Sequence, residues 1–370
     1  MKLECDIQNL LEAVSKVEMG TGRNLSLPTL GSILLIASEK SLKIRSTNLS
    51  LGVEAEIPAK ISNEGVVVTR GDALIQFLNL SIKEQKVSLE KLPENGTLKV
   101  YTRDHVVDLV TLPHEDFPSI PVIHDGKITE FTISAKKLID GFQSVMFASS
   151  ASEIKPEIAS VYMYEKDGVL TFVATDTFRL AEKNIENKNT TQDTHCIIPF
   201  KNVKSITAIL GSEKRDITVE ASKNQISFTG ERIYVTSRLI EGTFPDYAQI
   251  IPKNQATEVT ILKDDIVRII KTASLFTNKF NQILIRIDTA HKSIIFSTGN
   301  TEIGNFESKI TGVIKGESVE FSINQRHLQE ALGAITTDSI TLAITSPMKP
   351  ILMKAVGDKS FLYLLMPLNR

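Results

Sequence analysis

At 370 residues the chain is too long for one ordinary hydrophobic core and suits two or three domains. Apolar residues are 42% and charged residues 23% of it, the proportions of a globular protein, and no apolar run is long enough to span a bilayer as a helix. A formal charge of −2 argues against indiscriminate nucleic-acid binding and leaves room for one locally basic face.

The opening MKLECDIQNL carries acids where a signal peptide needs an apolar segment, so it reads as folded structure in a cytoplasmic protein. Apolar spacing predicts a helix over 6–18, an apolar run at 32–37 and alternating strands at 42–45 and 53–57. A strand at 66–68 leads into a second helix over 71–81, with Leu74, Ile75, Phe77 and Leu78 on its apolar face. Strands at 87–90 and 97–101 flank the turn signal PENG, and 106–112 closes the segment.

The stretch FTISAKKLIDGFQSVMF, 131–147, begins the same order again. Leu10, Leu138 and Ile266 stand 128 residues apart, and so do Leu3, Phe131 and Val259; Cys5, Ile133 and Ile261; Val14, Phe142 and Ile270; and Val17, Val145 and Ala273. Each copy changes from a period of two to one of 3.6 at the same place, strand then helix. Such repetition predicts three similar units. In the second, IIPFKNVKSITAIL predicts a helix with Ile206, Ile209 and Leu210 periodic, followed by strands at 217–220, 225–229 and 234–239. In the third, ESVEFSINQRHLQEALGAI precedes strands at 340–344, 350–355 and 361–366. The joint DFPSIP returns 127 residues later as TFPDY, with proline after an aromatic residue as in a rigid linker. The expected domains are 1–124, 125–252 and 253–370, each α+β with two helices on a mostly antiparallel sheet.

Motifs for catalysis or cofactors are missing: the sequence has no HExxH, no GxxxxGK[ST], no GxSxG and no GxGxxG after a strand, and its six histidines show no metal-ligand spacing. No cofactor, metal or catalytic residue is expected. Cys5 and Cys196 read as buried thiols, and Asp104 beside His105 as surface residues pointing to opposite faces of a strand. The expected helices carry ten bases (Lys16, Arg70, Lys136, Lys137, Lys201, Lys204, Lys263, Arg268, Lys271, Arg326) against eight acids (Asp6, Glu12, Glu18, Asp72, Asp140, Asp264, Asp265, Glu330), a small surplus in a chain that is acidic as a whole.

At ATDTFRLA (174–181), LIEGTFPDY (239–247) and the terminal YLLMPLNR (363–370), the sequence closely resembles the β subunit of bacterial DNA polymerase III, the replicative sliding clamp family. The resemblance covers the whole chain. It implies a clamp fold of three similar domains and a homodimer closed head to tail into a ring, with helices lining the hole. Such a ring encircles duplex DNA independently of sequence and confers processivity without chemistry of its own. Twelve helices about 10 Å across would leave a bore of roughly 28 Å, and six about 9 Å; only the first passes a duplex roughly 20 Å wide.

The resemblance also implies sites. Arg23, Lys201 and Lys204 occupy DNA-contacting positions, with Arg70, Lys136 and Lys137 as additions. Val107 and Leu109, against Ser274 and Leu275, occupy the dimer contact. An apolar cleft between the second and third domains, lined by Ile158, Thr175, Phe178, Arg179, Leu180, Pro245, Leu364, Met366, Pro367 and Leu368, would take short linear peptides of the polymerase, the clamp loader and repair proteins. Arg179 is expected to meet a backbone carbonyl or acidic end of the peptide. Phe178 stands where a histidine is common in the family. The rival readings are an enzyme on the same triplicated scaffold, for which no converging set of ionisable groups is visible, and a structural oligomer without a nucleic-acid partner.

Overall fold

The computed structural model describes residues 1–22, 27–92, 96–123, 129–187 and 194–368. Among them are six α-helices: α1 Ile7–Glu18, α2 Gly71–Leu80, α3 Ala135–Val145, α4 Phe200–Leu210, α5 Lys263–Ala273 and α6 Gln325–Ala334. In α1 the buried residues Ile7, Leu10, Ala13, Val14 and Val17 recur at three and four, the stripe that a helix lays on a core. The Asp6 carboxylate accepts the Asn9 N–H at 2.9 Å and caps its start, as Asn324 does for Arg326 at the start of α6.

All described strand pairs are antiparallel, in sheets of thirteen, nine and four strands. Compactness divides the chain into two units, Met1–Ile139 with Lys201–Leu239, and Asp140–Phe200 with Ile240–Arg370. The middle segment of sequence is shared between them because its strands continue two different sheets. In the first unit Ile233–Arg238 pairs with Leu51–Pro58, Val235 opposite Val53. In the second, Arg179–Glu186 pairs with Phe361–Leu365, Leu180 opposite Leu364. The backbone ladder therefore crosses the joints expected from sequence.

Sequence-based expectations hold to within two residues at the termini of most elements they name. Two short strands, Lys60–Asn63 and Val313–Gly316, are additional; both are largely exposed at sheet edges and so lack an alternating apolar pattern. Asp104 and His105 lie in the turn between Thr97–Tyr101 and Val106–Leu112, where Thr102 N–H donates to the His105 carbonyl at 2.9 Å. Pro93, Glu94 and Asn95 of the PENG signal lie outside the described residues. Cys5 and Cys196 are buried, and burial pushes both thiols up to about 12.

In the second unit, Phe142 meets Phe172 edge-on with ring centroids 4.9 Å apart, both fully buried. Gly141 permits this approach, since a Cβ there would lie 2.3 Å from the Phe172 ring. Helix propensity alone would make Gly141→Ala stabilising by about 1 kcal/mol. Overpacking of the ring should win, giving a net loss of about 1–3 kcal/mol in urea unfolding; a more stable variant would contradict this packing.

Candidate peptide-binding site and nucleic-acid interface

Every residue of the expected peptide cleft falls in the second compact unit. Its base is the turn from Thr175 to Arg179. The Thr175 hydroxyl donates to the Arg179 carbonyl at 2.6 Å and accepts from Thr177 N–H at 3.2 Å, while Asp176 Oδ1 accepts from the Phe178 and Arg179 N–H groups at 2.9 and 3.0 Å. Thr177 sits at φ 77°, a left-handed conformation that these side-chain bonds hold in place.

The same turn stands 128 residues earlier. Thr47 bonds the Leu51 carbonyl at 2.9 Å and the Leu49 N–H at 3.0 Å, Asn48 takes the Ser50 and Leu51 N–H groups at 3.0 and 2.8 Å, and Leu49 has φ 74°. The Arg238 N–H donates to the Ser50 carbonyl at 2.8 Å, as Met366 N–H donates to that of Phe178 at 2.9 Å. The turn is thus scaffold common to two repeats. What differs is what it presents: serine and leucine in one, Phe178 and Arg179 in the other.

Phe178 is 60% exposed. Pro245 is exposed, and Met366, Pro367 and Leu368 are half-buried. Ile158, Thr175, Leu180 and Leu364 are buried and form the support beneath. The tail does not fray: besides the Met366 bond, Leu368 N–H donates to the Ser322 carbonyl at 2.8 Å, tying the last described residues to the strand Val319–Asn324.

Arg179 is placed differently from the expectation that it meets the peptide. Its side chain is only 9% exposed, and the guanidinium is engaged on three sides. Nε donates to Asp176 Oδ2 at 3.0 Å, Nη2 to the Phe147 carbonyl at 2.7 Å, and Nη1 to Glu330 of α6. The cation also lies 5.7 Å from the centre of the Phe147 ring. Tyr363, packed on Phe147, donates to the His327 carbonyl at 2.9 Å, and burial followed by Arg179 pushes the His327 imidazole below its usual range. Arg179 is a strut that fixes the turn to α6.

Sequence profiles of the DNA polymerase III beta subunit match in three successive stretches: the N-terminal domain at residues 1–121, the central domain at 132–246 and the C-terminal domain at 248–369. The chain belongs to the DNA polymerase III beta subunit family, that of the replicative sliding clamps. The beta sliding clamp of Synechococcus elongatus is 25% identical over 377 residues, covering 100% of this chain and 99% of the relative. That of Staphylococcus aureus is 25% identical over 363 residues, covering 93% of each. Among solved structures, the DNA polymerase III beta subunit of Thermotoga maritima superposes with a TM-score of 0.93 at 20% identity, covering 100% of this chain and 99% of that one. The DNA polymerase sliding clamp of Bacillus subtilis does so with 0.92 at 22%, again covering 100% and 99%. The fold is therefore the family's clamp fold, helices packed on antiparallel sheets.

The residues expected to contact DNA fall in the first unit. Arg23 lies outside the described residues. Lys136 and Lys137 in the first turn of α3, and Lys201 and Lys204 at the start of α4, are exposed. Neither helix has an acid in its first turn, whereas α2 and α5 do. A cation at a helix N-terminus opposes the macrodipole by about 0.3–1 kcal/mol, a cost that a bound anion would offset. The first N–H of each helix is already bonded, Ala135 to the Arg215 carbonyl at 3.4 Å and Phe200 to the Ala159 carbonyl at 3.0 Å, so it is the exposed lysines that suit a phosphate. Asp72 holds Arg70 through two contacts.

The expected dimer contact needs correction in one place. Along Val106–Leu112 the alternation turns Val106 and Val110 outward, 60% and 72% exposed, while Leu109 is 7% exposed in its own unit and Val107 half-buried. Outward-facing Val106 and Val110, rather than Val107 and Leu109, are the side chains available to a partner. In the second unit Ser274 and Leu275 are exposed, Leu275 at 67%.

Proposed function

We propose that two copies of this chain close head to tail into a ring around duplex DNA, without reading its sequence, and hold the replicative polymerase, its loader and repair proteins through short peptides seated between Phe178, Pro245 and the tail. The ring performs no chemistry and works in the cytoplasm. Its three domains are 1–124, 125–252 and 253–370. The reading rests above all on the family match running through all three segments. Two free strand edges support closure. Residues 106–110 pair only with Thr97–Tyr101, and Gly304–Thr311 pairs only with Ser293–Asn300 among the described strands. An edge left open beside exposed apolar side chains is a template for a second chain.

A ring that slides should attract phosphates weakly and make no base contacts. With the observed boundaries the helices carry nine bases and seven acids, a surplus of that modest kind. Reversing Lys136, Lys137, Lys201 and Lys204 to glutamate should weaken DNA association and flatten its salt dependence by about 0.9 per lost contact. An unchanged slope in a salt titration would leave these lysines as ordinary surface. Encirclement itself is tested by retention on circular DNA and release when that DNA is cut.

A further inference from the structure

Beside the cleft, on the far side of Pro245, lies an open groove of about 450 Å³, within the range of small-ligand sites. Its walls are Tyr162, Tyr164 and His195 from two neighbouring strands and Phe244 and Tyr247 from the joint. Tyr162 stacks on Phe244 at 4.8 Å with planes 11° apart, and its plane also lies within 11° of His195. The three tyrosine hydroxyls are committed to neighbours within the groove wall. Tyr162 bonds His195 Nδ1 at 2.6 Å, and Tyr164 bonds the Tyr247 hydroxyl at 2.9 Å. The groove therefore offers ring faces of Tyr162, Tyr164 and His195 over the buried Phe244, rather than free tyrosine hydroxyls. Asp246, exposed on the joint and accepting from Gln249 Nε2 at 2.6 Å, lines the groove together with Lys166.

We propose that this groove is an extension of the peptide cleft that takes a basic side chain, arginine above lysine, flanking the partner's apolar anchors; it rests on the cleft reading given above. Two features carry the assignment. Pro245 lines the groove and belongs to the cleft, and Phe244 shares one apolar cluster with Leu180 and Leu364, so a peptide anchored on the cleft passes its flank over the aromatic wall. Stacked rings beside the exposed Asp246 carboxylate suit a guanidinium, which is planar, weakly hydrated and attracted to ring faces.

The test uses the full-length chain and synthetic peptides with three apolar anchors drawn from Leu and Phe, carrying Arg, Ala or Glu at one to four residues on either flank, measured by fluorescence anisotropy. One Arg position should bind about ten-fold tighter than Ala, with Glu weakest. Tyr162→Leu should abolish the Arg preference while leaving the Ala-flanked peptide unchanged. Asp246→Lys, at an exposed position whose carboxylate accepts from Gln249 Nε2 at 2.6 Å, should reverse the preference toward Glu, with circular dichroism checking that the fold is intact. Equal affinity for Arg, Ala and Glu flanks, with the anchors binding normally, overturns the extension alone. Failure of every anchor peptide to bind overturns the cleft reading and the extension with it.

Discussion

Replacing Arg179 with alanine should cost the second unit about 2–4 kcal/mol and, separately, weaken peptide binding at least ten-fold. The stability loss follows from what the guanidinium leaves behind. Asp176, 17% exposed at its side chain, loses its counter-charge, and the Phe147 carbonyl loses its donor. Breaking a buried pair costs roughly 3–5 kcal/mol, reduced here because Glu330 is 47% exposed and partly solvated. The affinity loss follows from the turn: without the strut, Phe178 and the Met366 strand lose their fixed spacing. Arg179→Lys should recover little, since an ammonium cannot bond three acceptors in a plane. Urea unfolding read beside peptide anisotropy separates this account from its rival. A variant with unchanged stability and lost affinity would mean that Arg179 meets the peptide directly, as the sequence suggests.

Leu275→Asp should convert the dimer to monomer. Leu275 directly follows the last turn of α5 and is 67% exposed in the single chain, near Phe280 in sequence at 63%. Large exposed apolar side chains mark a surface covered in assembly. A carboxylate there is solvated in the monomer and must be desolvated in the dimer, so dissociation should strengthen at least 100-fold, about 2.7 kcal/mol. Circular dichroism should show the fold intact. Val110→Lys should have the same effect from the opposite surface. Leu109→Ala should instead lower the stability of the fold by about 2–4 kcal/mol, because that side chain is 7% exposed in its own unit. Sedimentation velocity at about 1 µM distinguishes these outcomes, and a Leu275→Asp protein that remains dimeric would move the interface elsewhere.

Most of the fold was legible because it is written three times. The spacing that aligns Leu10 with Leu138 also aligns Thr47 with Thr175, and helix periodicity survives in each copy because one face is buried. Pairing between distant strands left no local trace, so the sharing of the middle segment between two units was not visible. Val106–Leu112, VVDLVTL, is apolar on both faces, and nothing local says which valines point outward. The Arg179 strut was hidden for a similar reason: Glu330 lies 151 residues away, on a helix whose sequence only shows a solvated acid. The aromatic groove joins residues from 162 to 247 that no single motif contains.

Encirclement is a topological link, and retention on DNA with and without ends reads it directly. The chain is incubated with linear duplex, the duplex is ligated into a circle, and the product is washed in about 1 M salt, where the Debye length falls to about 3 Å and electrostatic contacts are screened. The account predicts that wild-type protein stays with the circle and leaves when one restriction cut restores the ends, while Leu275→Asp is washed off both forms. Loss from the circle as rapid as from linear DNA would contradict encirclement.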